Sequence, residues 1–183
     1  MSLSKPLPLP RRCLFFDRDG VINQSPGKGY VLSWKQFVFN PGIIDLLSWI
    51  KKQNILLVLV TSQRGVGKGL MSQADLDQIH DQMQSKLAQQ SAKFDAIYSY
   101  TQSEDCFHLP KPDPEMLFSA AQDFNIDLYQ SWMIGDSDRD ITMGRAANLK
   151  GCIRFLSDKL PEVESDHSVK NAAQLQELLR SIL

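Results

Sequence analysis

The sequence predicts an α/β fold: a three-layer, Rossmann-like parallel sheet with helices on both faces and no separate cap domain. Short apolar runs rich in Val, Ile and Leu recur along the chain, and segments with the 3.6-residue spacing of amphipathic helices lie between them. The run ILLVLV at 55–60 is apolar at every position, which is typical of a strand buried on both faces. No internal repeat, low-complexity tract or linker divides the sequence.

The first part of the chain supplies two strands and the helix between them. CLFFD at 13–17 is the first predicted strand, and the run at 55–60 is the second. A helix is predicted within NPGIIDLLSWIKKQN at 40–54, where Pro41 lies near the start. The residues that fall on its buried face are Ile43, Leu46, Leu47 and Ile50.

The next helix carries a start signal. Ser72 and Asp75 have the spacing of a capping box. The stripe that this helix would bury consists of Leu76, Ile79, Met83 and Leu87. Later segments alternate in the same way and predict strands at 95–100, 131–136 and 151–156, and helices at 114–124, 139–148 and 172–183.

The composition fits one globular domain. The chain has 183 residues, of which 43% are hydrophobic, and this is enough to bury a sizeable core. We expect residues 1–11 to form a flexible N-terminal tail and residues 12–183 to form a single domain, as a monomer or small homo-oligomer. The formal net charge of −1 gives no reason to expect nucleic acid or an anionic membrane surface as a partner.

The cysteines and the apolar segments together indicate a cytoplasmic protein. Cys13, Cys106 and Cys152 are odd in number and form no CxxC pair, which suits reduced thiols. The apolar segments are short and interrupted by charges, so no membrane span is predicted. The N-terminal stretch MSLSKPLPLPRR lacks the hydrophobic region of a signal peptide.

Polar residues follow the predicted strands at one edge of the sheet. Asp17 and Asp136 end the first and fourth strands, Thr61 and Ser62 follow the second, and Lys111 lies in the loop before a helix. The carboxyl ends of parallel strands are where open α/β folds place their ligand sites. We therefore expect these side chains to converge.

The residue types at this edge indicate phosphoryl chemistry. Crowded carboxylates repel one another unless a cation neutralises them, and hard oxygen ligands are those that Mg²⁺ selects. A hydroxyl and an ammonium group facing that ion would clamp a phosphoryl group, whose transfer depends mainly on positioning and charge stabilisation. The predicted substrate is a small phosphorylated metabolite, and the predicted cofactor is Mg²⁺.

Four motifs carry a family resemblance. DRDGVIN, VTSQRG, KPDP and GDSDRD resemble, in order, the four motifs of the haloacid dehalogenase-like phosphatases. GYV at 29–31, FVFNPGIIDLL at 37–47 and the GVGKG turn are similar to the branch of heptose bisphosphate and histidinol-phosphate phosphatases. The likeness runs from about residue 12 to residue 155.

The resemblance implies a covalent mechanism. Asp17 would be the nucleophile and form an aspartyl-phosphate, while Asp19 would protonate the leaving alcohol and then deprotonate the attacking water. Gly20 would let the backbone turn sharply beside them. In this family Mg²⁺ is held by the first aspartate, the backbone carbonyl of the second and the acid of the fourth motif, which correspond here to Asp17, Asp19 and Asp136.

The same resemblance assigns the remaining site residues. Asp140 would support the metal ligands from behind, although an acid in the first turn of a helix is also favoured by the helix macrodipole alone. Lys111 would hold the phosphoryl oxygens together with a hydroxyl from Thr61, which is favoured, or from Ser62 and its backbone amide.

The chain departs from the heptose phosphatase branch at three positions near the site. Relatives carry Asn where Ser62 stands, Arg where Pro110 stands and often Lys where Ser137 stands, so two cationic contacts are missing. A sugar phosphate or bisphosphate such as heptose 1,7-bisphosphate is the leading substrate, and histidinol phosphate is the second. We expect an open site, covered at most by the loops at 24–36 and 101–110.

The loop before Lys111 is also unlike that of many relatives, which hold it with zinc bound by three cysteines and a histidine. Here the loop offers only Cys106 and His108, and a structural zinc needs four protein ligands. The sequence therefore predicts a metal-free loop.

Two other functions remain open at this point. A signalling receiver domain also combines a parallel sheet, acidic residues, Mg²⁺, a phosphorylated aspartate, a hydroxyl and a lysine, but its acidic pair is adjacent and its phosphorylated aspartate ends a later strand. Asp17 and Asp19 are separated by one residue and follow the first strand. A catalytically silent binding module of the same fold is disfavoured because all the reactive residues are present.

Overall fold

A computed structural model describes residues 9–157 and 160–183 and contains a parallel sheet covered by helices. The six strands of the described residues are β1 (Cys13–Phe16), β2 (Leu56–Ser62), β3 (Ala96–Tyr100), β4 (Trp132–Gly135), β5 (Gly151–Phe155) and β6 (His167–Val169). The five α-helices of the same part of the chain are α1 (Ile43–Lys51), α2 (Gln73–Ala88), α3 (Glu115–Phe124), α4 (Asp138–Ala146) and α5 (Ala172–Ile182).

The order of the strands fixes where the site can form. The sheet runs β3-β2-β1-β4-β5-β6, and every pairing is parallel. The chain builds outward from β1 to β3 and then returns to the other side of β1 as β4, so the crevice at the switch point lies between β1 and β4. Phe16 is in register with Ile134, and the Asp17 amide donates to the Ile134 carbonyl over 2.9 Å. The segments that follow β1 and β4 are therefore neighbours.

Hydrophobic side chains cover both faces of the sheet, as the sequence predicts. Leu14 and Phe16 of β1 point to one face, where α1, α2 and α5 pack, while Cys13 and Phe15 point to the other, where α3 and α4 pack. The alternation along β1 is the period-2 pattern of a strand buried on both sides. None of the described residues forms a separate cap domain.

The predicted helix faces are confirmed. The predicted stripes of α1 and α2 are buried, and both bonds of the Ser72–Asp75 capping box are formed. His80 joins the buried face of α2, which the sequence analysis did not anticipate. One strand was missed: β6 is only three residues long and pairs at the edge beside β5.

The N-terminal segment contacts the rest of the domain near its first described residues, and two of the cysteines lie in strands. Residues 1–8 of the predicted tail lie outside the described part of the chain. The Arg11 amide donates to the Asn125 carbonyl over 2.8 Å. Cys13 and Cys152 are buried in β1 and β5. No helix among the described residues is long and apolar enough to cross a membrane.

Candidate active site

The six predicted residues that would contact metal or substrate line one cavity at the carboxyl edge of the sheet. The cavity has a volume of about 280 Å³. These residues are Asp17, Asp19, Thr61, Ser62, Lys111 and Asp136. The cavity is also lined by residues 25–30, which confirms the predicted contribution of that loop. No residue of the loop at 101–110 lines it.

A buried lysine lies between two carboxylates at the base of the cavity. Lys111 Nζ donates to Asp17 Oδ1 over 2.7 Å and to Asp140 Oδ1 over 2.6 Å. Lys111 is 4% exposed, and Asp140 is fully buried. Carboxylate oxygens of Asp17, Asp136 and Asp140 lie within 4.8 Å of one another. Charged side chains as enclosed as these are tolerated when they are paired.

The electrostatics of this group leave an excess of negative charge. The pKa of Asp17 is raised to about 7, mainly by burial and also by the carboxylates of Asp140 and Asp136, against the lowering effect of the Lys111 ammonium. Burial favours the neutral amine of Lys111, but the Asp140 and Asp17 carboxylates outweigh it and raise its pKa. One ammonium thus serves several carboxylates, and a further cation would relieve their repulsion.

The carboxylate of Asp19 is held by three neighbouring side chains. Arg18 Nη2 and Asn23 Nδ2 donate to Oδ1 over 3.0 and 2.9 Å, and Gln63 Nε2 donates to Oδ2 over 3.0 Å. Burial disfavours the charged form, but the Arg18 guanidinium and the hydrogen bonds outweigh it, and the pKa of Asp19 is lowered. In this conformation Asp19 is a stable carboxylate.

Behind Asp19 lies a contact that the sequence analysis missed. The Arg18 side chain is fully buried, and its Nη1 lies 3.3 Å from Nε2 of His80 on α2. Burial and the Arg18 charge lower the pKa of His80 to about 3, so the ring is neutral and Nε2 can accept from the guanidinium. The two residues are 62 positions apart, and no local pattern in the sequence links them.

The two candidate hydroxyls differ in their surroundings. Thr61 Oγ1 accepts from Gln63 Nε2 over 2.8 Å and keeps its own proton for another acceptor. Ser62 Oγ is buried and has no hydrogen-bond partner among the described residues. Both residues line the cavity, and each has a hydroxyl proton to donate there.

The backbone conformation and the surroundings of Gly20 explain why a glycine follows the two aspartates. Its φ is +92°, a region that residues with a side chain rarely adopt. A Cβ built at this position would lie 2.2 Å from Asp136 Oδ2. The glycine therefore serves both the turn and the close approach of the β1 and β4 segments.

Asp140 has both oxygens engaged. Its Oδ1 accepts from Lys111, while its Oδ2 accepts from the Ser137 hydroxyl over 2.6 Å and from the Ser137 amide over 3.1 Å. The second pair of bonds belongs to the capping box that starts α4. Asp140 is therefore both a helix-capping acid and a partner of the buried lysine.

The loop before Lys111 is anchored on the first residue of α3. Glu115 Oε2 lies 3.0 Å from Nδ1 of His108 and accepts from the Leu109 amide over 3.2 Å. Cys106 Sγ lies 3.4 Å from the Thr101 amide. The absence of zinc from this loop stays a prediction.

A family model and several curated relatives match the chain. The model described as a haloacid dehalogenase-like hydrolase matches residues 28–148, more than half of the chain. The D-glycero-alpha-D-manno-heptose-1,7-bisphosphate 7-phosphatase of Burkholderia mallei is 35% identical over 77% of this chain and 78% of its own. The D-glycero-beta-D-manno-heptose-1,7-bisphosphate 7-phosphatase of Escherichia coli K12 is 32% identical over 91% of this chain and 93% of its own.

Solved structures with the same fold agree. The D,D-heptose 1,7-bisphosphate phosphatase from B. bronchiseptica, complexed with magnesium and phosphate, has a TM-score of 0.81 at 28% identity and covers 93% of this chain and 98% of its own. The enzyme of that name from Burkholderia thailandensis has a TM-score of 0.67 at 23% identity, covers 93% and 99%, and supports the fold alone. The chain belongs to the haloacid dehalogenase-like hydrolases and is a phosphatase of that family.

Proposed function

We propose that this phosphatase is Mg²⁺-dependent and hydrolyses a sugar bisphosphate, or a related small phosphomonoester, through an aspartyl-phosphate on Asp17. The observation that carries the proposal is the position of Asp17 at the base of the cavity, with Lys111 bonded to it and Asp136 beside it. A nucleophile and a phosphate-binding cation are thereby in contact before substrate arrives.

The proposed first step transfers the phosphoryl group to the protein. An Asp17 carboxylate oxygen attacks phosphorus, the bond from phosphorus to the ester oxygen breaks, and the leaving oxygen takes a proton from Asp19. Lys111 and the hydroxyls of Thr61 and Ser62 would hold the non-bridging oxygens. Because Arg18 and its neighbours hold Asp19 as a carboxylate, Asp19 must loosen this contact and take up a proton from solvent before it can deliver one to the leaving oxygen.

The second step hydrolyses the aspartyl-phosphate and regenerates the nucleophile. Asp19 takes a proton from a water molecule, whose oxygen attacks the phosphorus of the aspartyl-phosphate, and the acyl phosphate bond breaks to release inorganic phosphate and the Asp17 carboxylate. The hydrogen bonds from Arg18, Asn23 and Gln63 hold Asp19 as a carboxylate, which is the form that can accept this proton.

The residues present fit a divalent cation. Burial and like charges raise the pKa of Asp17, and its neighbour Asp136 adds a second hard oxygen ligand. Asp17, Asp136 and the backbone carbonyl of Asp19 would hold Mg²⁺, which when bound supplies positive charge to the phosphoryl oxygens. Asp140 is a poorer ligand because Lys111 and Ser137 already occupy both of its oxygens.

The relatives favour a sugar bisphosphate as the substrate. Those at 32% to 35% identity are named heptose-1,7-bisphosphate 7-phosphatases, and they match most of the chain. Histidinol phosphate stays the second substrate to test. The match to a hydrolase family disfavours a receiver domain. The presence of the reactive aspartates disfavours a catalytically silent module.

The test is hydrolysis by the purified protein with Mg²⁺, measured as phosphate release from heptose 1,7-bisphosphate, fructose 1,6-bisphosphate, histidinol phosphate and 4-nitrophenyl phosphate. Asp17→Asn should lose activity by roughly a thousandfold or more, because an amide is nearly isosteric but a poor nucleophile. Asp81→Asn, at an exposed position on α2, is the matched control and should keep full activity. Near-normal turnover by Asp17→Asn with an unchanged circular dichroism spectrum would refute the mechanism.

A further inference from the structure

The cavity has a rim of cations beyond the lysine at its base. We define the cationic rim as Lys28, Arg64, Lys68 and Arg139, all of which line the cavity. We propose that this rim binds a second anionic group of the substrate, remote from the phosphate that is cleaved, and that Arg64 is its central contact. The inference rests on the proposed function and names the part of the substrate that the catalytic residues do not hold.

Arg64 is the strongest indication because it is partly buried and one of its donors lacks an acceptor. Its Nε is buried and has no hydrogen-bond partner among the described residues, and its guanidinium carbon lies 5.9 Å from the centre of the Tyr100 ring. The Nε of Arg154 is also unbonded, but Arg154 and the fully buried Arg18 each form an ion pair with a carboxylate, Asp138 and Asp19 respectively, whereas Arg64 forms none among the described residues. A donor that is withdrawn from water and left unbonded is unfavourable. A bound anion would supply the missing acceptor.

The rest of the rim extends from Arg64 around the mouth of the cavity. Lys68 Nζ lies 5.4 Å from the centre of the Tyr30 ring, so the segment after β2 contacts the loop at 25–30. Lys28 lies on that loop, and Arg139 lies in the first turn of α4. In the part of the chain that the structure describes, none of the four rim side chains forms an ion pair.

The charges in the cavity exceed what one phosphate requires. Its lining includes five cations, the rim and Lys111, against the three carboxylates of Asp17, Asp19 and Asp136. Lys111 is bonded to Asp17, and Arg18 from outside the lining is bonded to Asp19. Asp17 and Asp19 thus have cationic partners outside the rim, and the field of the four rim cations would attract and orient an anion.

The position of the surplus charge favours a substrate with two anionic groups. Pro110 and Ser137, the neighbours of Lys111 and Asp136, add no charge at the catalytic end. The cations lie instead on the loops around the cavity mouth and in the first turn of α4. A phosphomonoester that carries a second phosphate, or a carboxylate, would meet both ends of the cavity, and the planar fork of Arg64 suits either group.

The test uses two substrates that differ only in the second anion: heptose 1,7-bisphosphate, and heptose 7-phosphate, which keeps the phosphate that the relatives remove. The readout is the ratio of kcat/KM for the bisphosphate to kcat/KM for the monophosphate. In the unmodified protein this ratio should be about 10 or more, and Arg64→Met should lower it by roughly 10- to 100-fold, mainly through KM. Arg64→Lys keeps the charge and should restore part of the ratio. Arg145→Met, at an exposed arginine that does not line the cavity, should leave the ratio unchanged.

The outcomes separate this inference from the proposed function. Equal kcat/KM for the two heptose phosphates, or an unchanged ratio in Arg64→Met, overturns the inference and leaves the phosphatase standing. Hydrolysis of 4-nitrophenyl phosphate without hydrolysis of either heptose phosphate also contradicts it. Failure to hydrolyse these three compounds, fructose 1,6-bisphosphate and histidinol phosphate with Mg²⁺ overturns the proposed function itself.

Discussion

Asp17→Asn should make the metal-free protein more stable while it removes activity. Asp17 is 9% exposed and lies among carboxylates that share one ammonium group. Burial, together with the charges of Asp140 and Asp136, makes its ionised form unfavourable in the folded state. An asparagine has a similar shape and carries no charge, and it can still accept a hydrogen bond from Lys111, which retains Asp140 as its charged partner.

The magnitude follows from the pKa of Asp17. Folding raises it from 3.8 to about 7, and one pKa unit corresponds to about 1.4 kcal/mol, so ionisation of Asp17 destabilises the fold by about 4 kcal/mol above pH 7. Because the folded pKa is the higher one, this loss is absent below pH 3.8, reaches about 2 kcal/mol at pH 5 and is complete above pH 7. Asp17→Asn removes the loss, and for a domain of this size the melting temperature should rise by about 10 °C at pH 8.

The assay is urea and thermal unfolding of both proteins in a metal chelator at pH 5 and pH 8. The difference in the free energy of unfolding between variant and unmodified protein should grow between these two pH values. Asp81→Asn, where the carboxylate is exposed, should show no such gain. If Asp17→Asn is no more stable than the unmodified protein at pH 8, or if its advantage does not grow with pH, our account of the charges around Asp17 is wrong.

Three further predictions concern the acid, the metal and the loop. Asp19→Asn should slow turnover severely yet still form a phosphoenzyme from 4-nitrophenyl phosphate, because that leaving group needs little protonation. The phosphoenzyme should be visible by mass spectrometry as an added phosphoryl mass, and near-normal turnover would count against the role of Asp19. Chelation should abolish activity, and added Mg²⁺ should restore it. Ca²⁺ should restore little activity, because its larger and looser coordination shell misplaces the nucleophile. Full activity in rigorously metal-free protein would contradict the proposal. Elemental analysis of protein purified without chelators should find no tightly held zinc, and one zinc per chain that is lost in Cys106→Ser would show the prediction for the loop to be wrong.

Much of the fold could be predicted because its elements have local signatures. The buried faces of α1 and α2 follow from apolar spacing, and the capping box of α2 follows from Ser72 and Asp75. The short edge strand β6 has no such signature: its residues are His, Ser and Val, and it exists because β5 offers it a partner. Strand pairing of this kind depends on tertiary context.

The candidate site also contains features that the sequence predicts and features that it does not. Asp17 and Asp136 could be brought together from the sequence, because both follow parallel strands and the ends of such strands share an edge. The contact of Arg18 with His80 and the buried, unbonded Nε of Arg64 could not, because each depends on side chains from separate elements. Order along the chain identifies the reacting groups, whereas their supporting contacts require coordinates.

The two bonds of Asp140 restrict what can occupy this position. Asparagine could cap α4 through its carbonyl oxygen, but its amide group would then face the Lys111 ammonium, donor against donor. Glutamate would keep the charge, but its longer side chain would carry the carboxylate away from the Ser137 amide that the shorter one reaches. Because the same carboxylate starts the helix and holds the lysine, fraying of the first turn of α4 would release Lys111. Slow amide exchange at that turn would therefore report on the readiness of the phosphate clamp, and aspartate is the residue at position 140 that satisfies both demands.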